Sequence, residues 1–218
     1  MRIRDLFQKV RGEGVAGANA LVFSDHAYKP RGFVTLRVWE GPVGSRLEDD
    51  IFLGEVDLGE NLVVTLARRI MSRLLSLANQ GQDPGPPPGA LYDPTITTIG
   101  SGDVTITDVS ELKLTKMKWG TGGHDPLNPT QPLDPDPTDE DLASPIASPV
   151  TKTVSYHYPD DLTVMMIATL EQAEGNGNGI SEVGLFTDSH NLMFARKCHG
   201  MMTKSADFSF EYRYSIIF

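Results

Sequence analysis

The sequence predicts a mainly β protein with one packed helix, an α+β chain whose bulk is an antiparallel β-sandwich carrying long proline-rich loops. Three observations predict it. The last residues, "DFSFEYRYSIIF", place Phe208, Phe210, Tyr212, Tyr214, Ile216 and Phe218 on one side of a strand and Ser209, Glu211, Arg213 and Ser215 on the other, the pattern of a strand with one buried face. "FVTLRVWE" alternates in the same way, with Val34, Leu36 and Val38 opposed to Phe33, Thr35, Arg37 and Trp39. Only "ENLVVTLARRIMSRLLSLANQG" has a helical period over several turns.

Residues 1–60 read as an N-terminal arm and a small antiparallel sheet. Ile3, Leu6, Phe7 and Val10 have helical spacing, but so short a helix is not stable alone. After the Gly-rich "GEGVAGANA" come "ALVFSDH", "FVTLRVWE" and "DIFLGEVDL", three strand-like runs separated by the turns "YKPRG" and "GPVGS". Residues 61–218 read as the sandwich domain. Its helix, 61–80, has the apolar stripe Val63, Leu66, Ala67, Ile70, Leu74 and Leu77, with Asn61 as N-cap and Gly81 as stop. The stripe is expected to cover a sheet, with Arg68, Arg69 and Arg73 on the solvated side.

Two segments break the pattern. Residues 81–95, "GQDPGPPPGALYDP" at their core, form one loop; residues 123–150 form the other, with seven of the chain's 15 prolines and a run of acids. Neither can be a helix interior or a central strand. Between them, Ile96, Ile106, Val109, Leu112, Leu114 and Met117 suggest strands with polar interruptions. "TVSYHY" and "LTVMMIATL" are strands joined through "PDD".

Composition narrows the function classes. The 218 residues carry a net charge of −10, which opposes nucleic-acid binding, because phosphate neutralisation needs clustered Lys and Arg. No stretch is long and apolar enough to span a bilayer, and "MRIRDLFQKVRGEG" lacks the apolar core of a secretion signal, so cytoplasmic synthesis and assembly are expected. Cys198 is the only cysteine, which excludes an intrachain disulfide; it reads as a small, half-buried hydrophobe.

Catalytic and metal signatures are missing from the sequence pattern. "GTGGHDP" and "GSGD" have neither the Lys-Ser/Thr ending of a phosphate loop nor the spacing of a dinucleotide fingerprint. The five histidines include no closely spaced pair that would nucleate zinc. "DPDPTDED" lacks the central Gly and terminal Glu of a calcium loop. Glu171, Glu174 and Asp188 lie in turns with no matched second acid, so a hydrolase is disfavoured. No catalytic residue, cofactor or metal is expected.

The hairpin "GISEVGLFTDSHNLMFARK" carries one anomaly. Glu182 lies in an otherwise apolar arm, sharing a face with Phe186 and with Gly184 between them. A buried carboxylate needs a partner. Arg196, on the returning strand, is the nearest candidate, and Arg213 on the closing strand is another. The reading is an inward-facing structural ion pair.

The order of these pieces resembles a family. "KMKWGTGGHDP", a Pro- and Asp-rich loop, "LASPI", and later "GISEVGLFTDSHNLMFA" resemble structural proteins of tailed bacteriophages, in particular tail-collar fibre and baseplate-associated attachment proteins. Residues 116–125 match the first motif of that family and residues 179–195 the second, with Ile180, Glu182, Gly184, Leu185 and Phe186 in step. The likeness spans roughly residues 61–218. It departs at His190-Asn191, where the family often has glycine, and in having no repetitive shaft before Phe218. The resemblance therefore implies a compact, non-enzymatic collar, neck, tail or baseplate subunit of the virion, joining neighbours as a homo-oligomer. Leu6, Phe7, Trp119, Pro126, Leu127, Pro132, Leu133 and Pro135 are the interface candidates it suggests. A host-surface glycan, met by exposed aromatics among Trp39, Tyr92, Trp119 and Tyr158, is the alternative partner.

Overall fold

The structure is a computed structural model and describes residues 31–40, 51–65, 67, 70–71, 95–98, 102–106, 108–149 and 151–217. The fold is mainly β. Nine strands form one antiparallel sheet, rolled nearly closed into a barrel instead of opening as two layers of a sandwich. In chain order the strands are β1 (Arg31–Glu40), β2 (Ile51–Val63), β3 (Thr95–Thr98), β4 (Gly102–Thr105), β5 (Leu114–Gly120), β6 (His124–Asp125), β7 (Asn128–Pro132), β8 (Lys152–Thr153), β9 (Ser155–Asp160), β10 (Thr163–Leu170), β11 (Gly179–Thr187), β12 (Met193–Thr203) and β13 (Phe208–Ile217). The sheet runs β8-β5-β11-β12-β2-β1-β13-β10-β9, while β3 pairs with β4 and β6 with β7 in separate two-stranded ribbons.

Two corners turn the sheet into a barrel. In β2, Gly59 has φ +80°, a conformation that costs glycine little and other residues much, and its N–H donates to Asp57 Oδ1 at 2.8 Å. The register to β1 shifts there, so β2 bends away and its end, Leu62 and Val63, pairs with Arg196 and Ala195 of β12. The second corner is Val154. Lys152 and Thr153 before it pair with β5, and Ser155 onward pairs with β10. The two ends of the sheet are thus one residue apart in the chain, and the Tyr156 hydroxyl donates to the Leu114 carbonyl at 2.9 Å across the gap.

The expected closing strand is β13, which lies between β1 and β10. Phe210, Tyr212, Tyr214 and Ile216 are buried with Val34 and Leu36 of β1, Met166, Ala168 and Leu170 of β10, and Trp119 of β5. Strands β1 and β2 are expected in a small sheet of their own but stand near the centre of the large one, because β1 pairs with β13 in register from Arg31↔Ile217 to Glu40↔Phe208 and β2 pairs with β12 at Leu62 and Val63.

The helical expectation needs correcting at its start. Asn61, Leu62 and Val63 end β2, so Asn61 is no N-cap. No α-helix is bounded among the described residues: Thr65, Ala67, Ile70 and Met71 are helical individually, and Ala67 and Ile70 are fully buried, while the rest of 61–80 lies outside the described residues. Loop 81–95 is likewise outside them except for Thr95, which belongs to β3. Val109–Leu112, expected as strand, is a 3-10 turn. Its cause is local: Asp108 accepts from the Ser110 N–H at 2.7 Å and the Glu111 carboxylate from the Asp108 N–H at 2.8 Å, a reciprocal cap.

Candidate functional site

The two segments that carry the family resemblance meet in space. β5 and β11 are antiparallel neighbours, with Val183 opposite Trp119, Gly184 opposite Lys118 and Glu182 opposite Gly120. Trp119 faces the barrel interior, its ring centroid 5.9 Å from that of Tyr212. Alternation therefore puts Val183 inside and Glu182 outside. Glu182 is nonetheless completely buried, because the proline-rich loop folds back over it. The expectation of an inward acid is corrected here: the acid leaves the barrel core, and a loop is laid across it.

Every lone-pair direction of Glu182 is used. One oxygen, Oε1, accepts from the backbone N–H groups of Gly122 (3.0 Å) and Ser144 (2.9 Å). The other, Oε2, accepts from the Ala143 N–H (3.1 Å) and from Arg196 Nε and Nη2 (3.0 and 2.6 Å). Arg196 also reaches Asp139 of the loop through Nη1, at 2.5 Å. Arg196 faces Glu182 because Gly184 pairs with Arg196 across the hairpin. Arg213, the other expected partner, bonds Glu211 at 2.6 Å instead, since its strand lies beside β1 and β10.

Glycines make room for this fastening. A Cβ on Gly120 would lie 2.3 Å from Glu182 Oε1, and one on Gly123 would lie 2.1 Å from the Ser181 carbonyl oxygen. A Cβ on Gly184 would meet the Phe186 ring at 2.7 Å and Leu142 at 3.0 Å. The "GTGG" and "EVG" steps of the motifs are thus packing requirements of one closed interface between loop and sheet.

Further bonds tie the loop down. Lys118 reaches Asp141 at 3.1 Å and lies 4.0 Å from the Phe186 ring centroid. The Thr121 N–H donates to the Ser144 carbonyl (2.8 Å), the Ile146 N–H to Trp119 (2.9 Å), and the Thr65 N–H to Pro137 (2.8 Å). Leu142 and Ile146 are buried. Residues 120–149 therefore lie on their own barrel.

The interface candidates separate accordingly. Trp119 is fully buried, so it is a core residue and not a contact or sugar-stacking residue. Pro126, Leu127, Pro132 and Leu133 remain exposed, Leu127 almost completely at 96%, and Pro135 is half-buried. Leu6 and Phe7 lie outside the described residues, as does Tyr92. Trp39 is half-buried against Phe52, while Tyr158 is 68% exposed.

Groups with chemical potential are engaged structurally. Ser181 Oγ lies 2.9 Å from His124 Nδ1 and accepts from the Gly123 N–H at 3.0 Å. That Ser-His contact could not be read from sequence, and Ser181 is completely buried. Glu174 pairs with Lys152 at 2.7 Å, and Asp188 accepts from the Thr115 hydroxyl at 3.0 Å. Among the described residues no three His, Cys, Asp or Glu side chains cluster to hold a metal ion.

Cys198 is more deeply buried than its sequence suggests, at 3% exposure. Burial pushes its thiol up to about 11; Arg196 pulls it back down, while Glu182 and Asp139 push it further up. The thiolate is the reactive form. Dithionitrobenzoate is therefore expected to modify the native chain about a hundredfold more slowly than the denaturant-unfolded chain near neutral pH. Equal rates would contradict this burial.

No family model matches the chain, and no curated protein or solved structure matches it.

Proposed function

We propose that this chain is a non-enzymatic structural subunit of a tailed-phage virion, joining tail, baseplate, neck or collar components through protein–protein contacts. One observation carries the reading. The two segments resembling the attachment-protein motifs are adjacent strands whose shared acid and glycines serve to fasten a long loop. The chemistry of a buried, saturated carboxylate is mechanical: it fixes a backbone path and has no free lone pair for acid–base work. The fastened loop then offers Leu127 and Leu133 outward on a rigid base, an arrangement that lowers the ordering cost of binding a neighbour. The proposed partners are further copies of the chain and other virion proteins, and the proposed location is the particle.

The test pairs native mass spectrometry of the purified chain with an electron-microscopy map of a particle containing it. A symmetric ring of copies, with the barrel fitting density in tail, neck or baseplate, is the expected result. A monomer found in no particle would overturn the proposal.

The exposed tyrosines of β9, Tyr156 and Tyr158, favour a second reading as a glycan-recognition module. A glycan array probed with the intact chain decides it, because loss of binding on Tyr158→Ala is expected only from that reading.

A further inference from the structure

The β6–β7 hairpin stands outside the nine-stranded sheet and rests on β12. Every residue of β7 is exposed, yet its backbone lies so close to β12 that a Cβ on Gly200 would come within 2.8 Å of the Thr130 carbonyl oxygen. The base of the hairpin closes through the Leu133 N–H, which donates to the Gly123 carbonyl at 2.9 Å. One hydroxyl then ties that base to the barrel. Ser181 Oγ of β11 accepts from the Gly123 N–H at 3.0 Å and lies 2.9 Å from His124 Nδ1.

The hydrogen of this hydroxyl decides the state of the histidine. A hydroxyl has one hydrogen to donate and two lone pairs to accept with. Ser181 is completely buried, so its hydrogen must find a partner inside the protein. Among the described residues, the acceptor bonded to it is His124 Nδ1. The bond therefore runs from Ser181 to His124, with Nδ1 bare and the ring neutral. A proton on Nδ1 would set two hydrogens between atoms 2.9 Å apart. Ser181 would have to turn its own hydrogen into the interior, and a buried donor without an acceptor disfavours the closed form by about tenfold or more. His124 is half-buried, so solvent protons reach it.

The surrounding charges offer that proton little compensation. Glu182 of β11 already accepts from Gly122, Ala143, Ser144 and Arg196. Asp125, beside His124 on β6, accepts from the Leu127 N–H at 2.8 Å. From β12, Lys197 and His199 face the same seam, and a charge on His124 opposes one on His199. Burial holds His199 neutral down to about 4.

We propose that the β6–β7 hairpin is an acid-released latch: neutral His124 keeps it seated on the barrel through Ser181, and protonated His124 lets it swing away while the barrel stays folded. The sign follows from proton uptake. The released form is the one that accommodates the proton, so the latch holds above the histidine range and opens as pH falls through it, roughly pH 8 to 5. Opening takes Leu127, at the tip of the hairpin, off its rigid base. The inference does not depend on the virion reading, since it concerns the isolated chain.

Amide exchange on the full chain, expressed as protection factors, reports the latch. The comparison is between the parent and a His124→Asn variant, whose side-chain oxygen stands near the place of Nδ1 and cannot ionise. From about pH 7.5 to about pH 5, protection of the Gly123 and Leu133 amides is expected to fall about tenfold further in the parent than in the variant. Amides of β13 are expected to respond to pH equally in both proteins, because His199 is present in both. A variant whose hairpin is open at both pH values still shows the smaller fall. Equal falls at Gly123 and Leu133 in the two proteins would overturn the proposal. An extra loss in the parent that reached β13 as well would overturn it too, by making the barrel and not the hairpin the responding unit.

Discussion

Replacing Glu182 with alanine will lower the free energy of unfolding by about 4 kcal/mol, the range seen when one member of a buried ion pair is removed. The loss has two parts. Arg196 keeps Asp139 but loses the two donations it makes to Glu182. The N–H groups of Gly122, Ala143 and Ser144 lose their acceptor together, each orphaned donor costing about 1–3 kcal/mol if water cannot replace it. Urea denaturation measures the total. Hydrogen exchange locates it: those three amides are expected to lose protection while amides of β10 and β13 keep theirs. An Arg196→Met variant removes the other half of the pair and is expected to be less than additive with Glu182→Ala, because the residues share one network. A loss below about 1 kcal/mol, or protection lost uniformly, would show that the loop is held by other means.

Acidification will destabilise the barrel through His199. Its Nδ1 lies 2.8 Å from the Gly200 carbonyl, so Nδ1 carries the hydrogen and Nε2 is left to accept from the Tyr212 hydroxyl at 3.4 Å. The ring lies in the interior, its centroid 6.0 Å from that of Tyr212. Burial dominates and pushes its pKa down from 6.5 to about 4; the bond to Gly200 and the charge of Glu182 oppose the shift, and Lys197 and His124 add to it. Because the folded value lies below the unfolded one, the unfolded chain takes up the proton first. The contribution is complete above about pH 6.5 and is lost as pH falls through the folded value. By about pH 4 the loss from this group is about 3 kcal/mol, at 1.36 kcal/mol per unit. Unfolding midpoints of the parent and a His199→Asn variant, compared across that range, isolate the effect. The variant keeps a donor near Nδ1 but cannot ionise, so its stability is expected to fall less steeply. Parallel curves would assign the acid sensitivity elsewhere.

Both predictions rest on groups that were unequally visible in the sequence. Glu182 stood out because a carboxylate in an apolar arm demands a partner, and Arg196 was reachable because a short turn fixes hairpin register. Asp139 was not reachable: it lies in a proline-rich loop whose path depends on the same bonds that it helps to make. His199 gave no signal either, because a histidine beside a lysine and a glycine reads the same whether it is solvated or packed on Tyr212. Trp119 misled for a similar reason. Standing just before "GTGG", it reads as an interface or glycan-facing aromatic, whereas its ring packs beside Tyr212 of β13 in the barrel interior.

Alternation alone determined that the chain is mainly β, that its final strand sits inside a sheet, and that the proline-rich stretches are not central strands, since period and proline chemistry act within a few residues. Whether the strands form a sandwich or a nearly closed barrel was decided only in three dimensions. Both architectures present the same in-and-out pattern, and the difference lies in two bends, at Gly59 and Val154, that carry strands from one neighbour to the next. The direction of Glu182 was decided in the same way. A strand's own residues fix which side chains share a face, but only the loop laid across the outer face made that side, too, an interior.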